Sequence, residues 1–352
     1  MMKPIKFPCG KVSLNPFVLA PLTNRQSHAD GTLSTEESHW LKMRADGGFG
    51  LIMTCAAFVS IDGIGFAGQM GVISGLNPTP HLEMNKHIHS KGALSIVQLY
   101  HGGSRSDVRF NGGVVYAPSA QKGTEGRPDI KEMTLDDITR VKNDFVNAAK
   151  LSKEWGYDGV QLHGAHGYLL CEFLSDLNQR TDEYGGGILQ KGQIIVDLVE
   201  EIRTVCGEEF LISVRLSPEL FSLNTEDVYV FAQHLLKHGQ IDLLDWSLWD
   251  VDKTIDGTTI LSNVLTLDYF GCPVSVAGKI DSAEKVSVLF DEGIDMVSIG
   301  RGAILHHDFP KACLASGFTV RELPVTADSL YTEGLSKVFV DYMRRWKGFV
   351  LD

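Results

Sequence analysis

No two of the six cysteines stand close enough for a CxxC pair, so zinc and iron–sulfur sites of that kind have no foothold. Several lie in apolar runs, where cysteine acts as a small hydrophobe, and reduced thiols in the cytoplasm are expected. Basic residues are in deficit: 32 Lys and Arg against 44 Asp and Glu leave a net charge of −12. That balance argues against a nucleic-acid backbone or an anionic membrane as partner. No stretch approaches the roughly 20 apolar residues of a membrane span. No continuous apolar stretch follows Met1-Met2-Lys3-Pro4-Ile5-Lys6-Phe7-Pro8, so a secretory signal is not expected. Low-complexity tracts and linkers are missing, as is any composition shift that would mark a boundary. One domain over residues 1–352 is therefore expected, with a C-terminal extension from about residue 325.

What the chain has is alternation. Short apolar runs at Phe17–Ala20, Gly50–Phe58, Ala93–Leu99, Gly159–His163, Leu211–Leu216, Leu243–Leu248, Pro273–Ala277 and Met296–Ile299 read as strands buried on both faces. Between them lie amphipathic stretches. Ser34–Ala45 opens on a hydroxyl cap followed by Glu36 and Glu37. Thr134–Trp155 opens like a capping box and sets Ile138, Val141, Phe145, Ala148, Ala149 and Ser152 on one face. Gln193–Val205, Thr225–His238 and Ser282–Glu292 read the same way. Strand candidates alternating with helices predict an α/β fold, a single (β/α)₈ TIM barrel, over a doubly wound open sheet. Lys6–Leu14 predicts a short hairpin that could plug the N-terminal end of the barrel. Tyr100–Met133 and Gly164–Gly192 are long loops after strands three and four, on the face where barrel enzymes keep their sites.

Hydrogen-bonding and small residues gather at the strand ends. Glycines after strands seven and eight, Gly278 and Gly300, suit close approach of backbone N–H groups to an anion, or serve only as turns. Arg215 sits in an apolar strand and needs an acceptor or an ion-pair partner; Gln98 raises the same question more weakly. His163 and His166, with Tyr168 two residues on, allow three readings: half of a metal site, two satisfied polar residues, or a pair of donors to one oxygen beside a proton source. No further metal ligand stands nearby at a fitting spacing, so no metal site is assigned.

The ordered set resembles the Old Yellow Enzyme family of FMN-dependent oxidoreductases from about Val12 to Asp308. It comprises Ala20-Pro21-Leu22-Thr23-Asn24, Val97-Gln98-Leu99, His163-Gly164-Ala165-His166-Gly167-Tyr168, Asn178-Gln179-Arg180-Thr181-Asp182-Glu183-Tyr184-Gly185-Gly186 and Ile299-Gly300-Arg301. The resemblance implies FMN beside Pro21, Thr23 and Ala56 or Ala57, with Gln98 and Arg215 on its pyrimidine edge and Gly278, Gly300 and Arg301 on its phosphate. It implies that NADH or NADPH reduces the FMN, which then passes hydride to an α,β-unsaturated carbonyl compound. His163 and His166 would hold the carbonyl oxygen, and Tyr168 would protonate the α-carbon. Arg25 and Tyr100 would line the substrate pocket. Oxidation of a C–N bond, or reduction of nitro or quinone acceptors, is the alternative on the same flavin. Arg25 stands where some relatives carry a tyrosine, and Gly187-Ile188-Leu189-Gln190-Lys191 lacks the arginine usual in that loop, which predicts different packing there. The Phe339–Phe349 stretch could pack on its own barrel or enter a neighbouring subunit's site, so homo-oligomerisation is left open.

Overall fold

A strand covered on both faces has no polar side to show, and each apolar run forms such a strand. The computed structural model describes residues 2–351 apart from 124, 125, 127, 256, 257 and 316. Its strands are β1 (Phe17–Leu19), β2 (Leu51–Phe58), β3 (Leu94–Tyr100), β4 (Gly159–Gly164), β5 (Leu211–Leu216), β6 (Leu243–Ser247), β7 (Val274–Ala277) and β8 (Met296–Ile299). They close into one parallel barrel in chain order, β8 pairing with β1 through Ser298 opposite Val18. Helices cover it, and the cap residues set their starts. Ser34 accepts from the Glu37 amide, Thr134 and Asp137 form a capping box, and Ser282 accepts from the Lys285 amide.

The helix Thr79–Ser90 between β2 and β3 escaped the sequence reading. Its inward face carries His81 and Asn85 beside Met84 and Ile88, so the apolar stripe is broken. His81 Nδ1 meets Tyr157 Oη at 2.8 Å and Asn85 donates to the Trp155 carbonyl at 2.9 Å. Among the described residues no helix is long and apolar enough to cross a membrane.

The predicted hairpin pairs Ile5–Lys6 with Val12–Ser13 in antiparallel register. It inserts Phe7, 1% exposed, among Val18, Leu51, Met53, Ile96, Leu211, Leu243 and Met296 at the N-terminal end of the barrel. At the opposite end Arg180 links the two long loops. Its guanidinium donates to Pro118 O at 2.8 Å and Met133 O at 2.6 Å and pairs with Asp182. In the loop without the usual arginine, Lys191 ends a short helix, Ile188–Lys191, and its buried Nζ donates to Ser175 O at 3.1 Å. The C-terminal segment packs on its own barrel: Phe339 meets Trp40 edge-on at 5.5 Å, and Val350–Leu351 pairs with Val325–Thr326.

Candidate active site

Residues alternate in and out along a strand, so the polar side chains that β3 to β8 turn inward meet inside the barrel. Gln98 donates to Gln161 at 2.8 Å, and Gln161 donates to Ser213 at 3.0 Å and to Asp245 at 3.2 Å. Asp245 is fully buried. Its Oδ1 accepts from Ser275 and from Ser298, and its Oδ2 lies 3.4 Å from Arg215 Nη1. Each charge thus has its opposite within the barrel, which a buried ion needs. Arg215 Nη2 donates to Ser247 at 3.1 Å. Its Nε and Nη1 are buried without a hydrogen-bond partner among the described residues. Two orphaned guanidinium donors beside a cavity call for an acceptor within it.

Two cavities share walls at this end. One, of about 450 Å³, is lined by Thr23, Ala56, Gln98, Tyr100, His163, His166 and Tyr168 among others. The second, of about 610 Å³, runs past Arg215 and Ser247 to Gly278, Lys279, Gly300 and Gly302. Pro21, Leu22, His166, Arg301, Leu323 and Trp346 line both, so they form one elongated site. Trp346 is 55% exposed despite lining it, a large apolar face free to cover a ligand.

Left-handed backbone at His166 (φ 63) and Gly167 (φ 70) turns the chain sharply after β4 and swings Tyr168 back over the cavity. The three rings then pack together, His163 on His166 at 5.1 Å between centroids, His163 on Tyr168 at 5.0 Å and His166 on Tyr168 at 6.4 Å. Tyr100 lies 4.5 Å from Tyr168. Burial first, then His166 and Arg215, hold His163 well below the ordinary histidine value. Burial, then Arg215 and Arg105, lower His166 to about 3. Both imidazoles are therefore neutral at pH 7, each with one N–H to give. His163 Nδ1 accepts from the Ala165 amide at 3.4 Å, which leaves its proton on Nε2. His166 Nε2 lies 2.6 Å from Ser247 Oγ. Ser247 accepts from Arg215, and in the tautomer where its hydroxyl donates to Nε2 the His166 proton stands on Nδ1.

Burial raises the Tyr168 phenol above its ordinary value, while Arg105, 5.5 Å over the ring, acts the other way. Arg105 also donates to the His166 carbonyl at 2.5 Å. Among the described residues no group of three or more His, Cys, Asp or Glu side chains could hold a metal ion.

Pro21, Thr23, Ala56, Gln98, Tyr100, His163, His166, Tyr168, Arg215, Gly278, Gly300 and Arg301 all line the joined cavity. Two expected residues do not. Ala57 is fully buried in the core behind the barrel wall, because its neighbour Ala56 takes the inward position. Arg25 lines a separate hollow with Tyr342 and Arg345, because its guanidinium turns toward the Ala67 carbonyl, 3.3 Å from Nε. Asp245 and Ser247 were missed by the sequence reading, although their two-residue spacing on one strand face, beside Arg215 in register, was a usable signal. Tyr342, Met343, Trp346, Lys347 and Phe349 reach the cavity from the C-terminal segment. No local signal marks them.

Comparison with known proteins gives one picture. Residues 1–315 match the profile of the NADH:flavin oxidoreductase / NADH oxidase family. The chain is 28% identical to the "Probable NADH-dependent flavin oxidoreductase YqiG" of Bacillus subtilis (strain 168), covering 86% of this chain and 84% of that protein. It is 29% identical to an NADPH dehydrogenase of Bacillus pumilus (strain SAFR-032), over 86% of this chain and 90% of that one. The old yellow enzyme homologue from Zymomonas mobilis superposes with a TM-score of 0.82 at 26% identity, covering 96% of this chain and 98% of that one. Several other curated relatives are longer proteins, of which the chain spans between 32% and 51%.

Proposed function

The chain belongs to the NADH:flavin oxidoreductase / NADH oxidase family, the Old Yellow Enzyme group of FMN-dependent oxidoreductases that draw hydride from NAD(P)H, and from that premise we propose that it reduces the activated C=C bond of α,β-unsaturated carbonyl compounds. One observation carries the reading: two neutral imidazoles and a protonated phenol pack together in the wall of the cavity that Thr23 and Ala56 also line.

The residues present fit FMN. Arg215 holds two buried nitrogens with no hydrogen-bond partner among the described residues, and Gln98 is buried on the barrel's inner face, bonded to Gln161. Pro21, Thr23, Ala56, Gln98 and Arg215 would hold the ring system, and Gly278, Gly300 and Arg301 the phosphate. FMN held there would supply hydride chemistry between NAD(P)H and the β-carbon of the substrate. The protein's own groups do the rest. His163 Nε2–H and His166 Nδ1–H donate to the substrate carbonyl oxygen and stabilise the charge that collects there. Tyr168 gives its proton to the α-carbon, so the double bond gains one hydride and one proton. Arg105 lies where it stabilises the phenolate left behind, and solvent restores the proton. The six free cysteines accord with a cytoplasmic setting.

FMN-reconstituted protein should bleach anaerobically with NADH or NADPH and regain its colour on addition of cyclohexenone. Failure to take up FMN refutes the reading. Rapid bleaching followed by reoxidation only by quinones, nitro compounds or none of these also refutes it, and an amine that bleaches the flavin would point to C–N oxidation.

A further inference from the structure

An acidic chain keeps two arginines without counter-ions beside this site. Arg25 leaves β1 in left-handed backbone (φ 61), and Arg345 follows the C-terminal helix Lys337–Met343. The Tyr342 ring is flanked by both, with guanidinium carbons 5.9 Å and 6.0 Å from its centroid. Among the described residues neither arginine makes an ion pair. The nearby carboxylates are already engaged. Asp107 accepts from Arg109 Nε at 2.9 Å, and Asp341 bonds both Lys337 and Arg344. Partial burial, and then the charge of Arg345, hold Arg25 below its ordinary value.

Arg25 and Arg345 line a hollow of about 370 Å³ together with Ala67, Gly68, Val338, Asp341 and Tyr342. Tyr342 also lines the larger cavity that holds Thr23, His163, His166 and Tyr168. The hollow therefore adjoins the reaction site across a single side chain. Two like charges facing one space, whose one lining carboxylate, Asp341, is already shared between Lys337 and Arg344, repel each other until an anion joins them. Each guanidinium presents a planar fork that matches an oxyanion.

We propose that Arg25 and Arg345 form an anion subsite at the mouth of the cavity, which takes an oxyanion, carboxylate or phosphate, on the molecule whose reacting end lies beneath Tyr168. The proposal rests on the ene-reductase reading and adds the ligand's charge to it. The oxyanion has two sources, a carboxylate on the unsaturated substrate or a phosphate of the nicotinamide nucleotide.

The FMN-loaded enzyme and its Arg25→Gln/Arg345→Gln variant distinguish these in stopped flow. One arm compares acetylacrylate with its methyl ester in the oxidative half-reaction. The other compares NADH and NADPH with uncharged N-benzyl-dihydronicotinamide in the reductive half-reaction. In the double variant the apparent Kd of the anionic member should rise roughly tenfold relative to its neutral partner. The arm in which this happens names the source. Arg345→Gln alone, at an exposed position, should show the same preference more weakly, and added salt should weaken wild-type binding of the anionic member selectively. Equal changes for charged and neutral members in both arms overturn the subsite. A wild type inert to the methyl ester overturns the ene-reductase reading instead, and the nucleotide arm then decides the subsite.

Discussion

Replacing Tyr168 with Phe removes one oxygen and leaves the ring in place. The ring keeps its contacts with Tyr100 at 4.5 Å and His163 at 5.0 Å, and Arg105 still lies above it. Among the described residues the hydroxyl has no hydrogen-bond partner, so its loss orphans nothing. The stability change should stay within about 1 kcal/mol by urea titration. The rate effect should be far larger. A positioned general acid contributes about 10²- to 10⁴-fold, or roughly 3–5 kcal/mol of the barrier. That loss should fall on one half-reaction only. Anaerobic stopped flow measures flavin reduction by NAD(P)H and reoxidation by cyclohexenone separately, and Tyr168→Phe should slow the second by that factor while sparing the first. The pH dependence follows in sign. Burial raises the phenol above its ordinary value, so the donor stays protonated through neutrality. Wild-type reoxidation should show no fall assignable to this group from about pH 6 to about pH 9, and should decline only in more alkaline solution. Equal slowing of both half-reactions, or an unchanged reoxidation rate, refutes the proton-donor role.

Replacing His163 and His166 together with Ala should weaken phenol binding at least about tenfold, because two hydrogen bonds to the phenolate oxygen are lost; titration of the charge-transfer band measures this, and an unchanged band contradicts the clamp. Asp245→Asn removes the carboxylate 3.4 Å from Arg215 and leaves more of the guanidinium's charge for an anionic reduced flavin. The potential of bound FMN should rise on the order of 30 mV, the equivalent of a tenfold shift, in spectroelectrochemical titration, and a fall would contradict the assignment of Arg215 to the flavin. Phe7→Ala empties the plug at the far end of the barrel and should cost about 3–5 kcal/mol in urea denaturation, with FMN affinity changed little.

What could be read from the sequence follows from how far each signal reaches along the chain. A barrel strand is sealed on both faces, so Leu211–Leu216 and Met296–Ile299 declare themselves as apolar runs with the bounds seen in the structure. A cap acts over three residues, which is why Ser34, Thr134 and Ser282 marked their helix starts. The helix Thr79–Ser90 lacked both aids: Pro78 occupies its cap without a side-chain bond, and its buried face is partly His and Asn. Ala56 and Ala57 could not be told apart locally, because only the pleat's phase decides which one faces the cavity.

The pieces that escaped are those whose partners lie far away in the chain. Arg215 announced a buried charge, but the identity of its partner depends on the register that sets it opposite Asp245 on β6. Tyr342 and Trp346 look like ordinary residues of a terminal segment, and they reach the site only because that segment folds back over the loop carrying Arg25. The two classes divide by location. The barrel's inner rim carries the residues that the family motifs pick out, His163, His166, Tyr168, Gln98 and Arg215. Much of the outer mouth, with Tyr342, Arg345 and Trp346, comes from outside the stretch that matches the family profile, which ends at residue 315. Most of the residues proposed for the chemistry and several of those at the mouth therefore come from different segments, with Arg25 the exception. Exchanging residues 316–352 for those of a relative should then change which electrophiles are taken far more than it changes the Tyr168-dependent protonation.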